Sequence, residues 1–269
     1  MRREDPPSTP QLALPVAVPI QSYKRAYRCS DTKDRATADL SIIAFFYLLR
    51  VGTAPRQAKR NGQLVSATRT VQFRIHDIGF WKNHQQLDRH CDLNELLQAD
   101  SATMKISNQK NGRMGQTIHH DGIDEDHCPI KALARRVHHV LAHNNGDDSA
   151  LLCMYNNGSA MTAVTPTDMI RSIRTSVKDL KLDKAGIDPD IVGVHSLRAG
   201  GAMSLKLHGE SDTTIMKQGR WSGLTFLQYI HNQIGHLSKD LSSTMAKEIP
   251  FLNIAAIQPP SQHAPALIN

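Results

Sequence analysis

The sequence predicts an α+β chain, mostly helical with a small antiparallel three-stranded sheet, on three observations. The run Leu40-Ser41-Ile42-Ile43-Ala44-Phe45-Phe46-Tyr47-Leu48-Leu49 is apolar almost all round, as a helix buried on every side must be. Short segments of alternating polarity follow between residues 71 and 120, two of them separated by a polar stretch carrying Asn111-Gly112, a hairpin signal. From Pro129 onward the pattern returns to helices with recognisable starts.

Residues 1–35 read as a proline-rich arm or linker, because Pro6, Pro7, Pro10, Pro15 and Pro19 leave no room for a helical period. A first helix is expected over residues 36–51, with Arg50 at its end and Gly52 as its stop. Strands are expected at 71–75, 102–106 and 116–120, the last two paired across the hairpin tip. After the acidic loop Asp124-Glu125-Asp126, Pro129 suits the first turn of a helix that runs to about His143. Thr165-Pro166-Thr167-Asp168 has the form of a capping box and opens a helix to about Leu180. Further helices are expected over 196–208, 212–218, 223–232 and 237–247. The elements group into one domain over 36–250, and 251–269 is expected to be an irregular tail containing Pro259, Pro260 and Pro265.

Composition narrows the class. With 269 residues, 40% hydrophobic and 21% charged, the chain can bury a core and has the make-up of a soluble globular protein. No run approaches the roughly 20 apolar residues of a membrane span, and Met1-Arg2-Arg3-Glu4-Asp5-Pro6-Pro7 is a poor signal peptide. An intracellular setting is the simplest reading of Cys29, Cys91, Cys128 and Cys153, which lie far apart with no CxxC pair. His127-Cys128 lacks a second pair at ligand spacing, so no metal site is expected and Cys128 reads as a buried thiol at a helix start. The net charge is +7, and residues 50–113, with 11 Lys and Arg against 5 Asp and Glu, contribute +6 of it. Such a stretch suits a surface that neutralises phosphates, or simply a solvated face.

The chemistry concentrates in the last third. His195 and Arg198, at i and i+3, share a helix face, and Gly219-Arg220-Trp221 and Tyr229 follow. Metal-free cleavage of a phosphodiester needs an in-line nucleophile, donors to the non-bridging oxygens and a proton for the leaving oxygen. Guanidinium forks suit the second task, and a phenol can supply the first and leave DNA joined to protein.

These residues resemble the active-site set of tyrosine recombinases, the phage-integrase-like DNA strand-exchange enzymes, particularly those of eukaryotic mobile elements. The resemblance covers roughly residues 36–253. Leu48-Leu49-Arg50-Val51-Gly52 is similar to the family's first arginine motif, and His195-Ser196-Leu197-Arg198-Ala199-Gly200-Gly201-Ala202 to its HxxR box. Gly219-Arg220-Trp221 is similar to the later box that carries His or Trp; Tyr229 falls at the nucleophile and Lys110 at the catalytic lysine, with Lys105 as its competitor.

The resemblance implies a tyrosine recombinase catalytic domain over 36–250 that breaks and rejoins DNA through a 3′-phosphotyrosine. Arg50 and Arg198 would clamp the phosphate, His195 would assist proton transfer, Lys110 would protonate the 5′ oxygen, Trp221 would donate to a non-bridging oxygen and Tyr229 would attack. No cofactor or metal is implied. The implied partners are double-stranded DNA and further copies of the chain, a tetramer on DNA, with 237–251 suited to packing on a neighbour. No membrane partner is implied, and the location is the nucleus in a eukaryotic host. Three features depart from the family. Thr53 stands where an acidic residue is usual, Trp221 and Tyr229 are one position closer than in many members, and only about 35 residues precede the domain, too few for the usual core-binding domain. They motivate the alternative of a catalytically decayed DNA-binding derivative. A topoisomerase-like relaxation enzyme would use the same residues. Each residue alone also has an ordinary structural reading: Arg50 as a helix-end cation, Lys110 as a hairpin-tip lysine, His195 as a cap, Trp221 and Tyr229 as packed aromatics. What points to chemistry is their joint order and spacing.

Overall fold

The computed structural model describes residues 12–29, 31–49, 57–60, 63–66, 73–106, 116–221, 223 and 227, with main chain alone for 57–60 and 63–66. All of them belong to one compact unit, Met1–Asn232.

The segment expected to be an arm without helix contains α1 (Ala17–Ala26). Pro19 falls in the first turn, where its missing N–H has no intrahelical partner to lose, so the prolines start the helix rather than prevent it. Arg25 ties α1 down, donating to Asp179 at 2.9 Å and to the Ser172 carbonyl at 3.1 Å. Helix α2 (Thr32–Phe46) starts earlier than expected because the Asp31 carboxylate caps it, accepting from the Asp34 N–H at 2.8 Å. It also ends earlier, at Phe46, and Leu48 beyond it is left-handed at φ 47°. Arg50 and Gly52 lie outside the described residues. As its all-round apolarity required, α2 is the central element: Ile42, Ile43 and Ala44 are wholly buried, and α1, α4 and α6 pack around it.

Two short strands unforeseen in the sequence, β1 (Gln57–Arg60) and β2 (Gln63–Ser66), pair antiparallel. The strand expected at 71–75 does not form where it is described. Arg74 makes an isolated bridge to Leu151, and Ile75–Asp77 is a 3₁₀ turn closed by the Asp77 carboxylate, which accepts from the Arg74 N–H at 2.9 Å. The sheet instead gains β3 (Ile78–Lys82) and β4 (Gln85–Leu87), then, after the short α3 (Leu93–Leu96), the expected pair β5 (Ser101–Ile106) and β6 (Gln116–Asp121). It is antiparallel in the order β4-β3-β5-β6, with four strands rather than three. Register sets Ala102 opposite His120, Met104 opposite Ile118 and Ile106 opposite Gln116. His120 therefore shares the core-facing side with Met104, while Lys105 and His119 project from the other.

Helix α4 (Pro129–His143) has the expected bounds, with Cys128 buried at its start. The hairpin of β7 (Met154–Asn156) and β8 (Met161–Ala163) leads to α5 (Pro166–Asp179), opened by the expected Thr165–Asp168 capping box. Helices α6 (Val194–Leu207) and α7 (Asp212–Gly219) follow, the latter capped by the Ser211 hydroxyl. The helices expected at 223–232 and 237–247 and the tail lie outside the described residues, Gly223 and Leu227 apart. Among the described residues no helix is long and apolar enough to cross a membrane.

Candidate functional site

A helix leaves its last carbonyls without intrahelical donors, and at the end of α2 side chains from three other segments supply them. Arg198, in the first turns of α6, donates one guanidinium nitrogen to the Leu48 carbonyl and another to the Gly219 carbonyl at 2.6 Å. Arg220, just after α7, donates to the carbonyls of Leu48 at 2.8 Å and Tyr47 at 3.2 Å. His120, on β6, hydrogen-bonds to the Phe46 backbone and meets the Tyr47 ring edge-on at 4.5 Å. Cations at a helix C-terminus also complement its dipole.

Glycines let these segments approach. A Cβ at Gly200 would overlap the Leu14 carbonyl, and one at Gly201 would overlap the Phe45 carbonyl and the Leu48 side chain. The glycine pair thus lays α6 directly on the last turn of α2, which brings Arg198 to Leu48. A Cβ at Gly219 would overlap the Trp221 ring, which folds back over the glycine. In that position the indole lies against the Arg198 guanidinium, 4.2 Å from its centroid, a cation–π contact. Leu48 and Arg220, which share a hydrogen bond, are both non-glycine residues in the left-handed region, at φ 47° and 58°. Such backbone costs roughly 1–3 kcal/mol per residue and collects at functional sites.

Of the six expected site residues, the structure therefore joins Arg198 and Trp221 in direct contact. His195 lies half-buried in the same α6 turn as Arg198, three residues before it. Arg50, Lys110 and Tyr229 lie outside the described residues. Chain connectivity puts Arg50 two residues after Leu48, and Lys110 in the 107–115 connection of the β5–β6 hairpin. Lys105 is exposed on the sheet face opposite His120. Arg198 is only 2% exposed, its terminal nitrogens occupied by backbone carbonyls.

Sequence reasoning named Arg220 within its motif without giving it a role, and missed His120 and Gln218. The Gln218 amide donates to His120 Nε2, completing the link between β6, α2 and α7. Burial pushes the His120 imidazole down to about 4, against the partly opposing Phe46 bond. One legible signal was the glycine pair: each interior Gly costs a helix about 1 kcal/mol against Ala, so two together mark a close approach. Beside the site, between β6 and α7, a cavity of about 390 Å³ is lined by Gln116, Thr117, Thr213, Lys217, Arg220 and Trp221.

The basic stretch 50–113 has a mixed outcome. Of its described side chains, Arg74 donates to the Ser149 carbonyl, Lys82 to Gln98 at 2.6 Å and Arg89 to Asp148 at 3.4 Å. Three of its cations thus serve local contacts.

No family model matches the chain, and no curated protein matches it in sequence. Solved structures do. The chain is similar to XerH, a site-specific recombinase bound to palindromic difH substrate in a post-cleavage complex, with TM-score 0.53 and 14% identity over 87% of this chain and 54% of that one. It is also similar to XerA recombinase, with TM-score 0.48 and 19% identity over 91% of this chain and 68% of that one. A third is the Tn1549 transposon integrase in complex with circular intermediate DNA, with TM-score 0.43 and 14% identity over 84% and 62%. The chain spans about half the length of the XerH chain. On the first of these likenesses the described chain has the tyrosine recombinase fold, as the sequence resemblance implied.

Proposed function

We propose that the chain is a DNA breaking-and-joining enzyme, a site-specific recombinase or integrase acting through a 3′-phosphotyrosine. One observation carries the reading: within a tyrosine recombinase fold, Arg198 stacks on Trp221 and binds the Leu48 carbonyl, two residues before Arg50. The Tyr229 phenolate oxygen attacks the scissile phosphorus as the bond to the 5′ oxygen breaks. Arg50, Arg198 and Trp221 hold the non-bridging oxygens, His195 assists proton transfer, and Lys110 supplies the proton to the leaving oxygen. Lys110 is preferred to Lys105 because Lys105 projects from the sheet face turned away from His120 and α2. Attack by a 5′ hydroxyl reverses the step and rejoins the strand. Exchange between two duplexes calls for several copies, so the working form is a tetramer on double-stranded DNA. A mobile-element origin, and nuclear location in a eukaryotic host, complete this reading.

The test uses the full chain and a pool of nicked suicide duplexes with randomised cores. Denaturing gels should show a protein–DNA adduct, and peptide mass spectrometry should place it on Tyr229. If Tyr229→Phe leaves the adduct intact, the assignment fails.

The deep burial of Arg198 favours one second reading, a DNA-binding derivative that has lost catalysis. It requires salt-sensitive binding to the same pool and no adduct with any nicked duplex.

A further inference from the structure

Outside the residues assigned to bond breaking, His120 is a side chain that joins three segments of the site. It belongs to β6, and so to the hairpin whose connection contains Lys110. Its ring lies against Tyr47, bonds to the Phe46 backbone and accepts from the Gln218 amide, three residues before Trp221. It therefore touches the last turn of the helix that precedes Arg50 and the last turn of the helix that precedes Trp221.

We propose that His120 is a positioning residue for DNA cleavage. Its imidazole, held between the Phe46 backbone and Gln218, fixes β6 against the ends of α2 and α7, the segments that lead in the chain to Lys110, Arg50 and Trp221. The inference rests on the function proposed above.

Histidine suits this task because a neutral imidazole is a rigid plane that accepts at one nitrogen and donates at the other. The Gln218 amide nitrogen can only donate, so His120 Nε2 must accept and the ring proton belongs on Nδ1. Protonation would set two donors against each other at Gln218. Burial opposes it, as does His119 on the same strand, while Asp121 acts weakly the other way. The Tyr47 phenol, itself pushed up by burial and bonded to the Ala102 carbonyl at 3.4 Å, stays neutral beside it. His120 makes no claim on the phosphate. Its effect is on where the reacting groups stand, and displacement of about 1 Å can cost on the order of 100-fold in rate.

The experiment measures single-turnover adduct formation by the full chain on the pooled nicked duplexes, with binding to the same pool measured separately. His120→Ala should slow the adduct by about 10- to 100-fold while binding changes by no more than about threefold. Gln218→Ala should slow it in the same direction. His120→Gln, which keeps a donor and an acceptor in one plane, should recover most of the rate. A His120→Ala rate within about twofold of wild type, or a His120→Gln rate as slow as His120→Ala, overturns the proposal. No adduct from the wild-type chain overturns the cleavage reading and this inference with it; adduct from wild type and unaffected variants overturns this inference alone. Because His120→Ala also loses packing on Tyr47, imidazole ¹⁵N spectra of the wild type and Gln218→Ala give an independent check. They should show the Nδ1–H tautomer, with a low titration midpoint that rises when Gln218 is removed. An ordinary midpoint near 6.5, unmoved in Gln218→Ala, overturns the contact.

Discussion

Two arginines hold α2, Arg135 at its middle and the buried Arg198 at its C-terminal end, and they are held in different ways. Arg135, from α4, meets the Asp39 carboxylate with two nitrogens, the closest at 2.6 Å, and its guanidinium is 5.1 Å from the centroid of each of the Tyr23 and Tyr27 rings, which stack on each other. Tyr27 adds its hydroxyl to Asp39 at 2.8 Å. Arg198 meets the carbonyls of Leu48 and Gly219 and the face of Trp221. A carboxylate cancels the charge of a guanidinium, whereas carbonyl dipoles orient it without cancelling it. The first arrangement locks α1, α2 and α4 together. The second suits a group that must be aimed and still attract an anion. Carbonyl binding alone does not mark a site, since Arg136 is also buried on the carbonyls of Leu152 and Met154. What sets Arg198 apart is that its carbonyls belong to the segments leading into Arg50 and Trp221.

Removing each arginine should break the comparison most sharply. Arg135→Ala leaves Asp39 buried without its ion partner, in a place where burial already pushes its carboxyl up. Urea denaturation should show a loss of about 3–5 kcal/mol, with adduct formation per folded molecule unchanged. Arg198→Lys keeps the charge and loses the fork. It should abolish the adduct while costing less stability than Arg135→Ala. Equal losses of stability with adduct retained in Arg198→Lys would erase the distinction between the two centres.

A smaller effect sharpens the second centre alone. Gly219→Ala puts a methyl group where the Trp221 ring lies, and backbone on one side leaves the ring as the part that must move. Overpacking of this kind costs roughly 1–3 kcal/mol. In a Trp81→Phe background, the remaining indole emission should shift to longer wavelength as Trp221 leaves its buried seat against Arg198. Unchanged emission would mean the stack does not depend on Gly219.

Much of this arrangement was legible beforehand, and the rest was hidden for identifiable reasons. Helices α4 and α5 announce themselves through local chemistry, Pro129 in a first turn and the Thr165–Asp168 capping box, so their bounds follow from sequence. The α2 run reads as buried because nothing in it offers a polar face. Helix α1 was hidden because prolines read as breakers when counted, whereas Pro15 precedes this helix and Pro19 sits in its first turn, where a missing N–H costs no intrahelical bond. The segment 71–75 has a clean alternation, but from Ile75 the described chain turns instead, closed by one side chain, Asp77, bonding its own backbone three residues back. Of the site, Arg198 and Trp221 could be named because a spaced motif carries them. His120 and Gln218 could not, since their pairing spans 98 residues and depends on β6 register.

The junction of Arg136 with the Leu152 and Met154 carbonyls offers a pH test of a contact away from the site. His139, one turn on from it in α4, accepts at Nε2 from the Asn156 N–H at 3.0 Å and is pushed down to about 4, by burial first and then by Arg136, His143 and His138. An unfolded histidine titrates near 6.5, so between about 6.5 and 4 the unfolded chain holds the extra proton. This contribution to stability is whole above about pH 6.5 and declines as the pH falls toward 4. His139→Gln should flatten that part of a stability–pH curve, leaving the slope contributed by His120. A curve unchanged by the substitution would remove His139 from the junction.

The smallest expected effect comes from the N-terminal end of α2, where Lys33 meets the start of α5. Asp168 accepts from the Thr165 N–H and hydroxyl at 3.0 and 2.7 Å and pairs with Lys33 at 2.6 Å. Burial works to raise its carboxyl, but the bonds from Lys33 and Thr165 outweigh that and bring it down to about 2. Its contribution is therefore present above the ordinary unfolded value of about 3.9 and is lost as the pH falls through about 2. Asp168→Asn should cost about 1 kcal/mol at neutral pH, the scale of a helix cap with a partly exposed ion pair. The difference from wild type should shrink in acid, where the wild-type carboxyl is neutral too, and adduct formation should stay the same at every pH. A change in adduct rate would show that the α5 cap and the α2–α6–α7 junction are coupled through α2, and that contacts along this helix do not act independently.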